Sequence, residues 1–210
     1  MTTPPRGART GRRCASLMLT LALSSVLGAT ACTGDGDDDD PGDAASSGAP
    51  SGSATHGVEE VATTATIGKV TGRLAPARRE VLKEKVAAVV DGWLDAAYVT
   101  GDYPRSSFAD AFPGFTKGAE ADAREDLALM SNATIATKVD GVEARNRRLR
   151  IDVLAVRKRA VGVTARFVLD FDTTGKLKGS ERVKGLLYMT WHQDNGWQVF
   201  GYDVSRGERR

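Results

Sequence analysis

The chain has 210 residues, of which 27% are charged and 41% are hydrophobic, and its formal net charge is +2. This is the composition of an ordinary soluble domain rather than of a disordered chain. The charge is uneven, because residues 1–31 hold four arginines and no acidic residue, whereas residues 32–58 hold six aspartates and no basic residue. The remainder is long enough for one domain with its own core. The net charge of this remainder is mildly positive, which is too small to require a polyanionic partner on the ground of charge alone.

The first segment has the plan of an export signal. Its basic start ends with two arginines at 12–13, and an apolar run of about 17 residues follows over 15–31. That length is at or below the roughly 20 residues of a stable membrane-spanning helix. Small residues, ATA at 29–31, directly precede Cys32.

This order of features resembles the bacterial lipobox, in which a lipid is added to the cysteine and the chain is cleaved just before it. The resemblance implies that residues 1–31 are a lipoprotein signal peptide and that Cys32 is lipidated. Because such lipoproteins carry at least two acyl chains, it also implies stable anchoring to the cell membrane on its extracytoplasmic face. An uncleaved anchor and ordinary secretion are the alternatives. The arginine pair leaves both Sec and twin-arginine export open.

Residues 32–57 are rich in Asp, Gly and Ser, and almost none of them can enter a core. Such a segment cannot offset the entropy of ordering, so we predict a disordered acidic tether that leads to a domain over residues 58–210. A calcium loop starting at Asp35 would require glycine at its sixth position and glutamate at its twelfth. The chain has Asp40 and Ser46 there, so we predict no metal site.

In the domain, residues 58–75 are rich in β-branched residues and are predicted either to form one entering strand or to remain extended. Apolar residues then recur at three- and four-residue spacing from Leu82 onward. This stripe predicts a long helix over about 77–99. A stretch of turn residues and aromatics follows, and a further helix is predicted over about 118–130.

The hydrophobic period changes to two after this helix. Alternating apolar side chains predict four strands in an antiparallel meander, with bounds of about 147–157, 160–172, 181–192 and 197–204. Helices followed by antiparallel strands define the α+β class. We therefore expect N-terminal helices, one of them long, packed on a curved antiparallel sheet of about four strands.

This order of elements resembles the NTF2-like (cystatin-like) fold, in which a curved sheet wraps around a long N-terminal helix to form a cone. The long helix, the shorter helices and the closing hairpin YMTWHQDNGWQVFGYDV carry the resemblance, which covers about 75–205. The order is also similar to the extracytoplasmic domains of Mce-associated proteins. Those proteins are membrane-tethered accessory factors of lipid-import systems.

The inner face of the sheet is predicted to be its apolar face. The alternating positions of the two long central strands carry no ionisable side chain there, and acid–base catalysis requires a titratable group at the reacting centre. The face therefore argues against catalysis. It leaves two interpretations open, which are plain core and the wall of a pocket for an apolar ligand. The candidate pocket residues are Trp93, Phe167, Leu169, Phe171, Leu187, Met189 and Trp191.

An NTF2-like small-molecule enzyme, of isomerase or dehydratase type, is the alternative function, with Tyr188, His192 or Asp102 performing the chemistry. The sequence holds no catalytic triad motif and no nucleotide-binding loop, so we predict neither a catalytic residue nor a cofactor. His192 is the single histidine of the predicted fold. Its alternation places it outward, which favours a structural role.

A run of basic residues begins at the first strand of the meander and continues into the hairpin after it. Phospholipid headgroups and anionic wall polymers are available outside the membrane, whereas export argues against a nucleic acid partner. An ordinary charged face that protects the sheet from aggregation is the alternative. The candidates for anionic-surface binding are Arg147, Arg148, Arg150, Arg157, Lys158 and Arg159.

These features predict a membrane-anchored extracytoplasmic lipoprotein with a non-catalytic binding or accessory domain. An envelope protein or an apolar ligand, such as a lipid, is the expected partner. A homodimer formed through the sheet is compatible with the same pattern, and a purely structural lipoprotein is the third alternative.

Overall fold

The computed structural model describes residues 61–209, so Cys32 and the segments 1–31 and 32–57 lie outside the described part of the chain. The elements in chain order are β1 (Thr64–Thr71), α1 (Pro76–Leu94), a π-helical turn (Asp95–Val99), α2 (Lys117–Glu125), α3 (Leu127–Met130), β2 (Val139–Val156), β3 (Arg159–Gly175), β4 (Gly179–His192) and β5 (Gly196–Glu208). The strands form one open sheet in the order β1-β2-β3-β4-β5. β1 is parallel to β2, and the other neighbouring strands are antiparallel.

α1 is the helix that the three- and four-residue spacing predicts, and it packs against one face of the sheet. The ring of Trp93 lies with its centroid 5.1 Å from that of Phe167 on β3, in an edge-to-face contact. A helix on a mostly antiparallel sheet confirms the α+β class. The stripe that faces the sheet consists of the buried residues Leu82, Val86, Val90, Trp93 and Leu94.

The predicted helix changes geometry after Leu94, where residues 95–99 form the π-helical turn. In a continuing α-helix, Tyr98 would point about 140° away from Trp93, because each residue turns by about 100°. A π-helical turn, whose hydrogen bonds run from residue i to residue i+5, is wider and brings residues five apart closer to the same side. Trp93 and Tyr98 are accordingly both fully buried, with ring centroids 5.6 Å apart. The turn therefore lets one helical segment place two large rings in the core.

The strands β2 to β5 form the antiparallel meander that the period-two pattern predicts. β2 differs most from its predicted bounds, because it begins at Val139 instead of at residue 147. Along β3 the burial alternates as the pattern requires, with Phe167 buried and its neighbour Arg166 exposed. This alternation separates the sheet into an inner face against α1 and an outer face.

The expectation of about four strands was too low, because residues 64–71 form a fifth strand at the edge of the sheet. β1 lies parallel to β2, with Thr64 opposite Arg148 and Thr71 opposite Leu154. Gly72 then turns the chain away with φ +93°, and a Cβ atom there would lie 2.1 Å from the carbonyl oxygen of Ala155. Only glycine lets the chain pass this close to β2. The β1–α1 connection is thereby held beside the β2–β3 hairpin.

The single helix predicted over 118–130 is two helices, α2 and α3, which are separated at Asp126. The Asp126 carboxylate accepts a hydrogen bond of 2.8 Å from the Tyr202 hydroxyl of β5, which ties the break to the sheet. The aromatic residues of the preceding loop, Phe108, Phe112 and Phe115, are buried in the core. Among residues 61–209, no helix is both long and apolar enough to span a membrane.

Candidate functional site

Six of the seven predicted pocket residues lie packed in the hydrophobic core. Trp93, Phe167, Leu169, Phe171, Leu187 and Met189 are each at most 1% exposed and belong to the same cluster of apolar side chains. Trp191 differs, because its side chain is 46% exposed. The alternation of β4 points Trp191 toward the α1 side of the sheet. Trp191 is, however, next to the last residue of β4, and its ring lies beside α1 instead of beneath it. Trp191 is therefore a surface residue.

Arg147 is not on the surface, although its charge suggested a place in an anionic-surface site. It is 4% exposed, and its Nη2 donates a hydrogen bond to the Asp95 carboxylate in the π-helical turn. The Arg147 Nε atom is buried and has no hydrogen-bond partner among the described residues. Alternation explains the position, because Leu149 and Ile151 on the same strand are also buried. The interaction joins β2 to the end of the α1 segment.

Arg148 and Arg150 lie on the exposed outer face, near the middle of β2. Arg150 faces Asp152 at 3.7 Å. An open cavity of about 290 Å³ further along this face is lined by Lys69 and Asp152 together with apolar and neutral side chains. The outer face is thus mixed in charge.

Asp170 also lies on the outer face, where it is buried within a network of hydrogen bonds. It accepts bonds of 2.6 and 3.0 Å from the Arg182 guanidinium and one of 3.0 Å from Asn146. The Arg182 hydrogen bond holds the pKa of the Asp170 carboxyl below its ordinary value. A hydrogen bond from Ser180 does the same to the pKa of Asp172. Carboxylates held ionised in this way are suited to structural ion pairing and poorly suited to proton donation.

The three residues of the enzyme alternative lie in different places. Tyr188 is half-buried on the outer face, beside Phe200. His192 is exposed at the end of β4, and Asp102 is exposed in the connection after the π-helical turn. Within residues 61–209, no hydrogen bond or ion pair joins any two of them, and no group of acidic, histidine or cysteine side chains could hold a metal ion.

Seven cations of the described residues gather where β1 ends, α1 begins and β2 turns into β3. The Nη1 atom of Arg78, on α1, donates a hydrogen bond of 2.9 Å to the carbonyl oxygen of Lys158, which ties the helix to the hairpin. Most of the cations here are exposed, and none forms an ion pair within the described part of the chain. We name this cluster the basic end, and its members are Arg73, Arg78, Arg79, Lys85, Arg157, Lys158 and Arg159.

The tip of the basic end is the two-residue turn between β2 and β3. Arg157 has φ 49° and Lys158 has φ 63°, and Val156 pairs with Arg159 across the turn. Tight hairpin turns with two positive φ angles strongly prefer Asn-Gly, because glycine has no Cβ atom and asparagine tolerates this conformation better than longer side chains do. The turn nevertheless presents two long cationic side chains to solvent.

The start of α1 adds to the positive potential. Arg78 and Arg79 lie in its first turn, which contains no acidic residue and no side-chain cap. A helix N-terminus carries a partial positive charge, so cations there are unfavourable by about 0.3–1 kcal/mol each. The charges are therefore unfavourable for the helix itself, although both side chains donate hydrogen bonds to backbone carbonyls nearby, Arg78 to Lys158 and Arg79 to Leu74.

An aromatic side chain borders the basic end. The Nζ atom of Lys85 lies 5.4 Å from the ring centroid of Trp191, in cation–π geometry. The Trp191 ring also stacks edge-to-face on Trp197, with 5.9 Å between centroids. The exposed side chains of Val81 and Val161 add apolar surface at the same end of α1 and β3.

The basic end differs from the rest of the surface in the sign of the charges that line its cavities. Two open cavities, of about 520 and 410 Å³, lie there and share Leu74 and Arg78. Their lining includes six of the seven cations of the basic end and no acidic residue. By contrast, the cavity beside the β3–β4 hairpin combines Lys178 and Arg209 with Glu181 and Glu208. Only the basic-end cavities among these four are lined by charge of one sign.

Sequence reasoning identified Arg157, Lys158 and Arg159 but missed the other members of the basic end. Arg73, Arg78, Arg79 and Lys85 lie more than 70 residues earlier in the chain, and the fold brings them to the hairpin. One signal was present in the sequence. The predicted helix starts with arginines at positions where acidic residues are favoured. Comparison of the chain with protein-family models, with curated proteins and with solved structures gave no match.

Proposed function

We propose that this chain is a lipid-anchored protein of the extracytoplasmic membrane face whose α+β domain is a non-catalytic binding or accessory module. The observation that carries the proposal is the contrast between a packed apolar interior and a surface cluster of cations that form no ion pair among the described residues. Binding through the surface uses positive charges that the described residues do not pair with carboxylates. An envelope partner is therefore favoured over an apolar ligand held inside the domain.

The arrangement of ionisable groups supports a non-catalytic role. Catalytic acids and bases are held where their pKa values and positions match a reacting atom. Here the lowered pKa values belong to Asp170 and Asp172, which are engaged with Arg182 and Ser180 on the outer face. An enzyme of isomerase or dehydratase type remains the alternative. It would have to build its site from Tyr188, His192 or Asp102, which lie apart.

The anchor part of the proposal rests on the sequence before the described residues. A basic start, an apolar run and small residues ahead of Cys32 together match the processing site of a lipoprotein. Two or more acyl chains on Cys32 would hold the domain at the membrane permanently. The domain itself would follow the NTF2-like cone, in the manner of Mce-associated proteins.

The anchor is tested by expressing the full chain and its Cys32→Ser variant in a bacterial host and separating membranes from soluble material. We expect the wild-type protein in the membrane fraction, with radiolabelled fatty acid attached and a mass that corresponds to cleavage before Cys32. The variant should carry no label and should be either released or unprocessed. A Cys32→Ser protein that remains in the membrane at its mature mass would contradict the proposal.

The binding role is tested by native mass spectrometry of the purified chain. A packed core predicts that no apolar molecule is retained inside the domain. A stoichiometric lipid whose retention depends on core residues such as Phe167 or Met189, and not on surface residues, would show that the interior is the binding site. Turnover of a small-molecule substrate that is lost in Tyr188→Phe or His192→Gln would favour the enzyme instead.

A further inference from the structure

We propose that the basic end is the surface by which the domain docks on an anionic phospholipid bilayer, with Trp191 in the headgroup layer. The inference deepens the proposed function, on which it rests for the location of the domain outside a membrane. It assigns a partner chemistry, the phosphate-bearing bilayer surface, to Arg73, Arg78, Arg79, Lys85 and the hairpin cations.

Charge complementarity is the first argument. The basic end combines cations from the β1–α1 connection, from α1 and from the β2–β3 hairpin, and the two cavities between them are lined without an acidic side chain. A basic residue close to an anionic bilayer strengthens binding by roughly fivefold, and several together give stable association. Such a cluster repels itself when it has no partner. A surface with dense negative charge is the partner that it fits.

The conformational cost of the hairpin tip is the second argument. Arg157 and Lys158 occupy left-handed backbone conformations that side chains with a Cβ atom rarely adopt. Each costs about 1–2 kcal/mol relative to glycine. Residues held in such conformations commonly have a functional role. A less strained sequence, Asn-Gly, is available for the same turn. Here the feature gained is a pair of cations at the tip of a rigid hairpin.

The nature of the exposed apolar groups distinguishes a bilayer from other anionic partners. Trp191 is 46% exposed and has Lys85 over its ring, and Val81 and Val161 are exposed at the same end. Tryptophan with neighbouring lysine and arginine is the composition that membrane interfaces favour, because the ring lies at the headgroup level and the cations reach the phosphates. A purely electrostatic wall polymer would leave these side chains without a role.

The test uses the chain from residue 32 with Cys32→Ser, which contains every described residue and lacks a lipid anchor. Flotation compares vesicles of equimolar phosphatidylglycerol and phosphatidylcholine with vesicles of phosphatidylcholine alone. We expect binding to the anionic vesicles only, weakening as salt increases. Tryptophan emission should shift to shorter wavelength on binding. Because Trp93 is fully buried and Trp197 is 6% exposed, the shift reports on Trp191 and should be absent in Trp191→Phe.

Two variants with the same change in net charge separate a specific surface from general attraction. Arg157→Glu/Lys158→Glu should weaken binding by about 30-fold or more, given the roughly fivefold contribution of each cation. Lys176→Glu/Lys178→Glu changes the hairpin at the opposite end of β3, roughly 50 Å away along the 17 residues of that strand. This control should bind at nearly the wild-type level. Circular dichroism and thermal unfolding show that both variants are folded.

Four results would overturn the docking surface. Three are seen with vesicles, namely equal loss of binding in the two charge variants, equal binding to uncharged vesicles, and binding without a shift of the Trp191 emission. Binding to a polyphosphate chain but not to anionic vesicles would identify a wall polymer instead. None of these results depends on the anchor, because the tested chain lacks it. A failure of the fractionation experiment above would refute lipidation and leave the vesicle result standing.

Discussion

The guanidinium of Arg147, on β2, donates a hydrogen bond to the carboxylate of Asp95 at the start of the π-helical turn. Arg147 is buried, whereas the Asp95 side chain is 26% exposed, so the pair joins the interior of the sheet to the edge of the helix. A buried cation is tolerated only when a counterion accompanies it. The pair therefore constrains where the helical segment lies on β2.

Removing the anion of this pair should destabilise the domain. In Asp95→Ala the Arg147 charge stays buried without a counterion, and we expect the free energy of unfolding to fall by about 2–3 kcal/mol, since partial exposure of Asp95 reduces the full penalty. Urea denaturation measures the change. Glu143→Ala is the control, because it removes an acid from an exposed pair with Arg145 and should cost about 0.5 kcal/mol or less. Equal effects of the two substitutions would argue against the buried pair.

The hydrogen bonds to Asp170 predict a dependence of stability on pH. The pKa of this carboxyl is lower in the folded protein than in the unfolded chain, so its ionised form stabilises the fold. That contribution is complete above the unfolded pKa and is lost as the pH falls through the folded pKa. We expect Asp170→Asn to lower the free energy of unfolding by about 1–2 kcal/mol at neutral pH. The difference from wild type should shrink in acid.

Denaturation curves recorded from neutral to acidic pH check this expectation. The exposed Asp203 of β5 supplies the control, since Asp203→Asn removes a carboxylate that no described hydrogen bond or ion pair engages and should change stability little. A constant difference between Asp170→Asn and wild type across the acidic range would mean that the substitution acts through packing and not through the charge.

Gly185 is required by the close approach of two strands. A Cβ atom at this position of β4 would lie 2.1 Å from the carbonyl oxygen of Asp203 and 2.8 Å from the Cα atom of Val204, both in the backbone of β5. Because backbone cannot move aside as a side chain can, we expect Gly185→Ala to destabilise the domain by about 2–3 kcal/mol. Gly207→Ala, where no atom lies within 4 Å, should be nearly neutral. Thermal unfolding of both variants measures the contrast.

The β2–β3 hairpin offers a prediction in the opposite direction. In the Asn-Gly replacement of Arg157 and Lys158, glycine removes the strain at position 158 and asparagine tolerates the positive φ at 157 better than arginine does, so the free energy of unfolding should rise by about 1–2 kcal/mol. The same variant should bind anionic vesicles more weakly, because the cations at the tip are gone. Greater stability with weaker binding would mark the wild-type turn as a compromise. If stability falls instead, the turn is not strained by its side chains.

Local periodicity was sufficient to predict α1 and the meander of β2 to β5, because burial repeats along each element. It could not assign a partner to β1, which contacts β2 through residues such as Thr66 and Leu149, 83 positions apart. The same limit applies to the basic end, where Arg78 meets Lys158 across a similar distance. Arg147 was misplaced for another reason. The alternation of β2 points it inward, whereas its charge favours the surface.

The long separation between β1 and β2 bears on how the sheet assembles. Each pairing among β2 to β5 is closed by a short turn, whereas β1 reaches its neighbour only after α1, α2 and α3 have intervened. Pairing over a long loop is slower to form than pairing across a turn. We expect β1 to join last, and its amide hydrogens to exchange with solvent before those of β3. As an edge strand with one neighbour, it would also be the first strand to yield if tension entered the domain from the chain ahead of residue 61.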